Sequence, residues 1–128
     1  GLYFVNNVVD AGNVLSIELA KSTAVLDYDK LKGNIKIRIG KETDIYYGIN
    51  RGLINVTNIP LYVDEESPFG SPTSDTMRTS VSENTKKILL MVICFDDIDK
   101  DRIKEVSIDI FKKYAYADNI EEIEVNRE

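Results

Sequence analysis

The 128 residues contain no histidine. Its absence removes the commonest general base and the commonest transition-metal ligand. Ser-His-Asp and Cys-His nucleophilic chemistry is therefore excluded within this chain, as is any histidine-containing zinc site. Only one cysteine is present, Cys94. It can neither close an internal disulfide nor build a Cys-only metal site, which fits a reducing compartment, and a cytoplasmic location is expected. Cys94 falls inside an apolar run and reads as a small buried hydrophobe. No run reaches the roughly 18 apolar residues of a membrane-spanning helix. The first residues lack the basic, apolar and small-residue order of a signal sequence. Neither a dinucleotide-type glycine fingerprint nor a Walker sequence occurs. Acidic residues outnumber basic ones, 22 to 16, and the formal net charge is −6. That balance argues against strong nonspecific nucleic-acid binding, which phosphate neutralisation drives, but it leaves room for a local basic patch. The acidic groups Asp64, Glu65, Glu66 and Glu121, Glu122, Glu124 lack the spacing of a calcium loop and read as solvated turns. No metal and no cofactor are expected.

What is present fits one domain with a real core over residues 1–128, since 43% of the residues are apolar. Residues 5–20 read as a helix, with Val5, Val8, Leu15 and Leu19 at helical spacing. Val9, Val14 and Ile17 widen the apolar surface, so burial on most sides is expected. Asn6, Asp10 and Asn13 share one face. They serve either as structural hydrogen bonds or as the polar wall of a pocket. Residues 27–33 suggest a short helical turn closed by Gly33. Ile35, Ile37 and Ile39 alternate with Lys36 and Arg38, predicting a half-buried strand. Further short strands are expected at 44–47, 53–56 and 60–63, with a turn at 48–52.

Residues 68–85, PFGSPTSDTMRTSVSENT, form the most informative stretch. They read as a long polar loop, uncommon in a compact domain unless functional or disordered. The loop offers backbone N–H groups and hydroxyls to a ligand. Arg78, with Lys86 and Lys87, either holds a phosphate or carboxylate near Ser71, Thr73, Ser74 and Thr79, or Arg78 pins the loop itself. A buried strand follows at 88–95. Asp96 and Asp97 mark its exit, and Asp99 caps a helix whose stripe is Ile103, Val106, Ile110, Phe111 and Tyr114. Asp101 near the start and Lys112 and Lys113 near the end suit the helix dipole. A last short strand is expected at 122–125. Tyr46 and Tyr47 can stack on a base, but core or interface packing suits them better.

Four stretches together resemble a known family. Residues 5–19 carry an Asn-rich start leading into V-D-x-x-N. Residues 26–38 read LDYDKLKGNIKIR, residues 69–87 carry G-S-P-T-S-D-x-x-R-T followed by T-K, and 88–96 supply the next strand. The chain resembles the B3/B4 domain of the phenylalanyl-tRNA synthetase beta subunit, in its free-standing form. The resemblance implies an α/β domain of α+β type, with a mixed or antiparallel sheet core, a buried N-terminal helix and an outer C-terminal helix. It also implies an aminoacyl-tRNA hydrolase acting in trans by positioned water, or at least a pocket for an amino acid on a tRNA 3′ end.

Carried over by residue, Asn13 matches the asparagine of the pocket helix. Ser71, Thr73, Ser74, Asp75, Arg78 and Thr79 are the loop residues expected to meet the ligand, and Lys86 and Lys87 the expected RNA contacts. Three positions depart from the synthetase pattern: Gly12 replaces threonine, Ala24 a histidine and Met91 the glutamate that reads a tyrosine hydroxyl. A thioether cannot accept that proton as a carboxylate does, so Met91 implies a more apolar ligand. Free-standing relatives carry more sequence ahead of the first helix, so a fragment or a naturally short form is expected. The other reading is a non-catalytic module that binds an amino-acid-like ligand or a protein partner.

Overall fold

A computed structural model of the protein describes residues 2–19, 21, 23–92 and 100–115. Helix α1 (Leu2–Leu19) starts three residues before the expected position, and helix α2 is Lys100–Ala115. Between them lie β1 (Thr23–Asp27), β2 (Lys36–Ile39), β3 (Tyr47–Gly48), β4 (Gly52–Leu53), β5 (Pro60–Val63), β6 (Pro68–Ser71), β7 (Ser74–Asp75) and β8 (Ile88–Val92). The fold is α+β, with its strands in antiparallel sheets: β1 with β8, β3 with β4, and the order β2-β5-β6-β7. Cys94, Asp96, Asp97, Asp99 and the strand expected at 122–125 lie outside the described residues, as does the side chain of Tyr114.

The β1–β8 ribbon is the partition of the molecule. Strand side chains alternate between faces, and the two faces of this ribbon bury different clusters. Val25, Ile88, Leu90 and Val92 pack against Val8, Ala11, Leu15 and Leu19 of α1 and against Ile103 and Phe111 of α2. Ala24, Leu26, Leu89 and Met91 face the other way, onto Tyr62 and Phe69 of β5 and β6. A third cluster, Tyr46, Val56 and Leu61, fills the back of the larger sheet.

Helix α1 is the inner helix, but it buries one side only. Val9 and Val14 are partly exposed and Ile17 is 82% exposed. The broad apolar surface read from the sequence thus exceeds what α2 and the ribbon cover among the described residues. At Gly12 the backbone lies close to β1, since a Cβ there would sit 2.8 Å from Val25 Cγ2.

The expected strand at 60–63 coincides with β5. The strands expected at 44–47 and 53–56 correspond to β3 and β4, whose paired residues lie closer to the intervening turn. Strand β1 was not anticipated, because Thr23–Asp27 offers only a short pattern beside the turn signal at 27–33. That turn is a 3₁₀ segment at Tyr28–Lys30, followed by Gly33 at φ 70°. The stretch expected as one long loop, 68–85, is the largest difference. Its first half is the β6–β7 hairpin, with Ser71 paired to Ser74 across the two-residue turn Pro72–Thr73, and a 3₁₀ turn follows at Met77–Thr79.

Gly40 sits where two segments meet. Its N–H donates to Ile59 O at 2.8 Å and its carbonyl accepts from Asn58 N at 2.9 Å. A Cβ at position 40 would lie 2.0 Å from Val56 O, a backbone atom that cannot swing aside. Gly40→Ala is therefore expected to destabilise the fold by about 1–3 kcal/mol, the range for overpacking. At Gly52, where a Cβ would meet nothing and only the φ of 70° opposes it, Gly52→Ala should cost about 1 kcal/mol. Urea unfolding of the two variants checks the order, and an unchanged Gly40→Ala midpoint would refute the contact.

Candidate functional site

Asp64 follows β5, and its side chain is fully buried. Oδ1 accepts from the N–H groups of Glu66 and Ser67, each at 3.0 Å, and Oδ2 accepts from Lys32 N at 2.8 Å. The first two bonds close an Asx-type turn between β5 and β6. Arg78 completes the set. Its Nη1 donates to Asp64 Oδ2 at 3.0 Å and its Nη2 to Asp64 Oδ1 at 2.9 Å. Nη1 also reaches Lys30 O at 3.4 Å, Nη2 reaches Ser67 O at 3.1 Å, and Nε lies 3.1 Å from Glu66 Oε2. Every guanidinium nitrogen is engaged inside the protein.

The cluster at 64–66, expected as a solvated turn, is thus the opposite at its first member. Glu65 and Glu66 remain exposed while Asp64 is 6% exposed. Burial pushes the Asp64 carboxyl up, but the Arg78 fork and three backbone N–H groups outweigh it and hold it at about 2.

A second carboxylate fastens the far end of the same segment. Asp27, 5% exposed, accepts from Thr85 Oγ1 at 2.7 Å and from Asp29 N at 3.0 Å. Thr85 Oγ1 in turn accepts from Ser82 N at 2.9 Å, and Lys30 Nζ donates to Ser80 O at 2.7 Å. Neither Asp27 nor Asp64 was singled out from the sequence as an anchor. The available signals were the hydroxyl-rich stretch itself and a lone arginine in need of an acceptor.

The β6–β7 turn carries Ser71, Thr73, Ser74 and Asp75. Ser71 Oγ lies 2.8 Å from Ser74 Oγ and accepts from the N–H groups of Ser74 at 3.1 Å and Thr73 at 3.3 Å. Tyr46 Oη donates to Ser74 O at 2.9 Å, and Ser74 Oγ donates to Tyr46 Oη at 3.1 Å. Burial pushes the Tyr46 phenol up. Arg51, on the β3–β4 turn, donates to Thr73 O at 3.3 Å. Tyr46 is thus a core residue that shapes the turn, whereas its neighbour Tyr47 is 62% exposed.

The remaining candidates are spread over the domain. Thr79 is fully buried, and its Oγ1 has no hydrogen-bond partner among the described residues. Met91 is 7% exposed in the cluster with Ala24, Leu26, Tyr62 and Phe69. Asn13 is exposed on α1. Its helix packs on one face of the β1–β8 ribbon, and the sheet carrying Ser71–Asp75 packs on the other. The structure therefore brings Ser71, Thr73, Ser74 and Asp75 together, ties Arg78 and Thr79 to their base, and places Asn13 across the ribbon. Lys86 and Lys87 are exposed just before β8. Lys87 O accepts from Tyr28 N at 3.0 Å, which sets the two lysines beside the 43% exposed Tyr28.

Among the described residues, no group of three His, Cys, Asp or Glu side chains is placed to hold a metal ion. No described helix is long and apolar enough to cross a membrane. A shallow depression on α2, lined by Asp101, Lys104, Glu105, Ile108 and Asp109, is a single-helix surface remote from these groups.

The fold and the clamped, hydroxyl-rich hairpin define a small α+β domain with a polar turn presented from its larger sheet. The chain belongs to the B3/4 domain family, whose profile matches residues 1–117. It is similar to the phenylalanine–tRNA ligase beta subunit of Bartonella henselae, with 30% identity over 98 residues, 75% of this chain and 12% of that protein. The corresponding subunit of Bartonella quintana (strain Toulouse) is 26% identical over 98 residues, again 75% of this chain and 12% of that protein. The matched region thus covers only about an eighth of those curated relatives, since it is 12% of each.

Breaking the clamp should be costly. Arg78→Ala removes a charged fork from a buried carboxylate that keeps three backbone donors, and it is expected to destabilise the fold by about 1–3 kcal/mol. Arg78→Lys should recover part of that, because the charge returns without the fork. Thermal and denaturant melts check both. Acid sensitivity supplies a second test. Asp64 and Asp44, the latter held at about 2 by hydrogen bonds from Arg38, both titrate below an ordinary carboxylate. A carboxylate depressed in the folded state contributes stability above its unfolded value, and that contribution is lost as pH falls through the folded value. Stability should therefore fall between about pH 4 and pH 2, and Arg78→Ala should flatten that limb.

Proposed function

We propose that this domain binds the aminoacylated 3′ end of a tRNA and hydrolyses misacylated ester in trans. The observation that carries the reading is the preorganised hairpin at Ser71–Asp75, in a chain of the B3/4 family similar to phenylalanine–tRNA ligase beta subunits. A turn whose hydroxyls and N–H groups hold one another keeps its shape before a ligand arrives, so it can position a terminal ribose or an ester without first ordering itself. Water is the nucleophile in this reading, since the chain has no histidine to activate a side chain. Ser71, Thr73, Ser74 and Asp75 meet the aminoacyl end. Arg78 and Thr79 act through the shape of the segment. Met91, with Ala24, supplies an apolar wall, whereas Asn13, exposed on α1 across the ribbon, lies apart from this group. Lys86 and Lys87, beside Tyr28 at the start of the 3₁₀ turn, meet the tRNA backbone and a base. Exposed Asp29 and Glu83 lie in the same region, so the basic surface is local.

One observation favours the second reading, binding without hydrolysis. Met91 is enclosed by apolar and aromatic neighbours and offers no acid or base. A deacylation assay over a panel of mischarged tRNAs separates the two. Hydrolysis of some member supports the first reading, and saturable binding with no hydrolysis supports the second. The double variant Lys86→Ala and Lys87→Ala should weaken tRNA binding and lower the slope of log K against log salt by about two, with no change in melting temperature. Undiminished binding by that variant would remove the two lysines from the interface.

A further inference from the structure

Polar side chains around the hairpin are mostly paired, but two that share a row are not. Tyr62 is opposite Gly70 across β5–β6, and Gly70 is opposite Asp75 across β6–β7. Residues in one such row emerge on the same face of a sheet. Gly70, between them, contributes no side chain, and the Tyr62 ring leans over it. A Cβ at position 70 would lie 3.0 Å from Tyr62 Cδ2 and 3.7 Å from Cε2. The phenol therefore reaches across β6 toward Asp75. Tyr62 is 1% exposed as a residue, but its hydroxyl is not one of the fully enclosed unpaired oxygens: it makes no hydrogen bond among the described residues and keeps a contact with solvent. Asp75 is half-buried and its carboxylate has neither a hydrogen-bond donor nor a salt bridge among them.

That state contrasts with the other carboxylates of the region. Asp27, Asp44 and Asp64 are each held by two or more donors. Asp75 and the Tyr62 hydroxyl thus lie in one row with no protein partner among the described residues, both open to a ligand, and a partly buried carboxylate without a donor calls for an explanation. Burial alone pushes the Asp75 carboxyl up from its ordinary range, the sign of a charge without a counter-ion. A primary ammonium carries three N–H donors and one positive charge, and it can satisfy a carboxylate and a phenol oxygen at once.

We infer that Asp75 and the Tyr62 hydroxyl, placed on either side of Gly70, form a recognition point for a primary ammonium group. The assignment of that ammonium to the free α-amino group of an aminoacyl ester rests on the proposed function. The recognition chemistry does not. Ser71 and Ser74 form the adjacent row and turn their hydroxyls to the other face of the sheet, toward Tyr46, so the ammonium point is separate from them.

Nuclear magnetic resonance titration of the full chain with L-leucinamide and with N-acetyl-L-leucinamide tests the inference. The free amine should bind, with shifts at Tyr62, Gly70 and Asp75, and acetylation should weaken binding by about tenfold or more, the scale of a charged hydrogen bond. Asp75→Asn and Asp75→Ser should each lose a similar factor while keeping the wild-type melting curve. Tyr62→Phe should lose a smaller one. Equal binding of the acetylated amide, unchanged affinity in both Asp75 variants, or no binding of leucinamide in the millimolar range would overturn the inference. The two readings fail separately. If mischarged tRNA binds equally with its amino group free or acetylated, the ammonium point is lost and the tRNA reading stands. If leucinamide binds through Asp75 and no tRNA binds, the reverse holds.

Discussion

A single ion pair, between the buried Asp64 carboxylate and a partly exposed Arg78, organises this domain. Arg78 ties the 3₁₀ turn at Met77–Thr79 to Asp64, to Ser67 and to Lys30, residues 14, 11 and 48 positions away in sequence. Closing such loops costs chain entropy that short-range contacts cannot offset. A bidentate, charge-assisted fork on a carboxylate that already accepts three backbone N–H groups is strong enough to do so. The β5–β6 turn, the 30–34 segment and the turn at Met77–Thr79 are all fixed by this one knot. Replacing the fork by any point charge would leave Lys30 O or Ser67 O without its donor, so the geometry requires arginine.

The knot explains why a hydroxyl-rich stretch can be ordered with so little apolar content. Residues 68–85 bury Phe69 fully, but most of their order comes from two carboxylates, Asp64 at one end and Asp27 at the other. The hydroxyls of Ser71 and Ser74 and the Tyr46 phenol saturate each other in the middle. Such a segment does not rely on a ligand for its shape. It presents a rigid turn, and rigidity is what a site needs if water is to be the only nucleophile and positioning the main source of rate.

Much of this was legible in the sequence, for physical reasons that differ by element. Helices α1 and α2 carry long stripes at helical spacing, and β8 opens an apolar run with clear polar bounds, while β5 shows only as a short apolar stretch. Strand β1 was missed because five residues beside a turn signal give little periodicity. Residues 68–71 were read as loop because Pro68, Gly70 and Pro72 punctuate them. In the fold Pro68 begins the strand at a register shift and Gly70 makes room for the Tyr62 ring, so the same residues serve a strand with a bulge. The anchors were invisible because a carboxylate in an acidic run gives no local sign of burial. Only the tertiary arrival of Arg78 distinguishes Asp64 from Glu65 and Glu66.

The interior beside the hairpin bears on what the domain can select. Ala24 and Met91 face each other across β1–β8 and lie against Tyr62 and Phe69. That environment has no acid to read a ligand hydroxyl, so a hydroxyl brought there would lose its hydrogen bonds to water without gaining others, a penalty of about 1–3 kcal/mol. Apolar side chains carry no such penalty. The polar row at Tyr62, Gly70 and Asp75 opens from the same face of the sheet as this apolar cluster. Discrimination there would come from excluding polar side chains rather than from recognising one, and it would be correspondingly modest among apolar ligands of similar size.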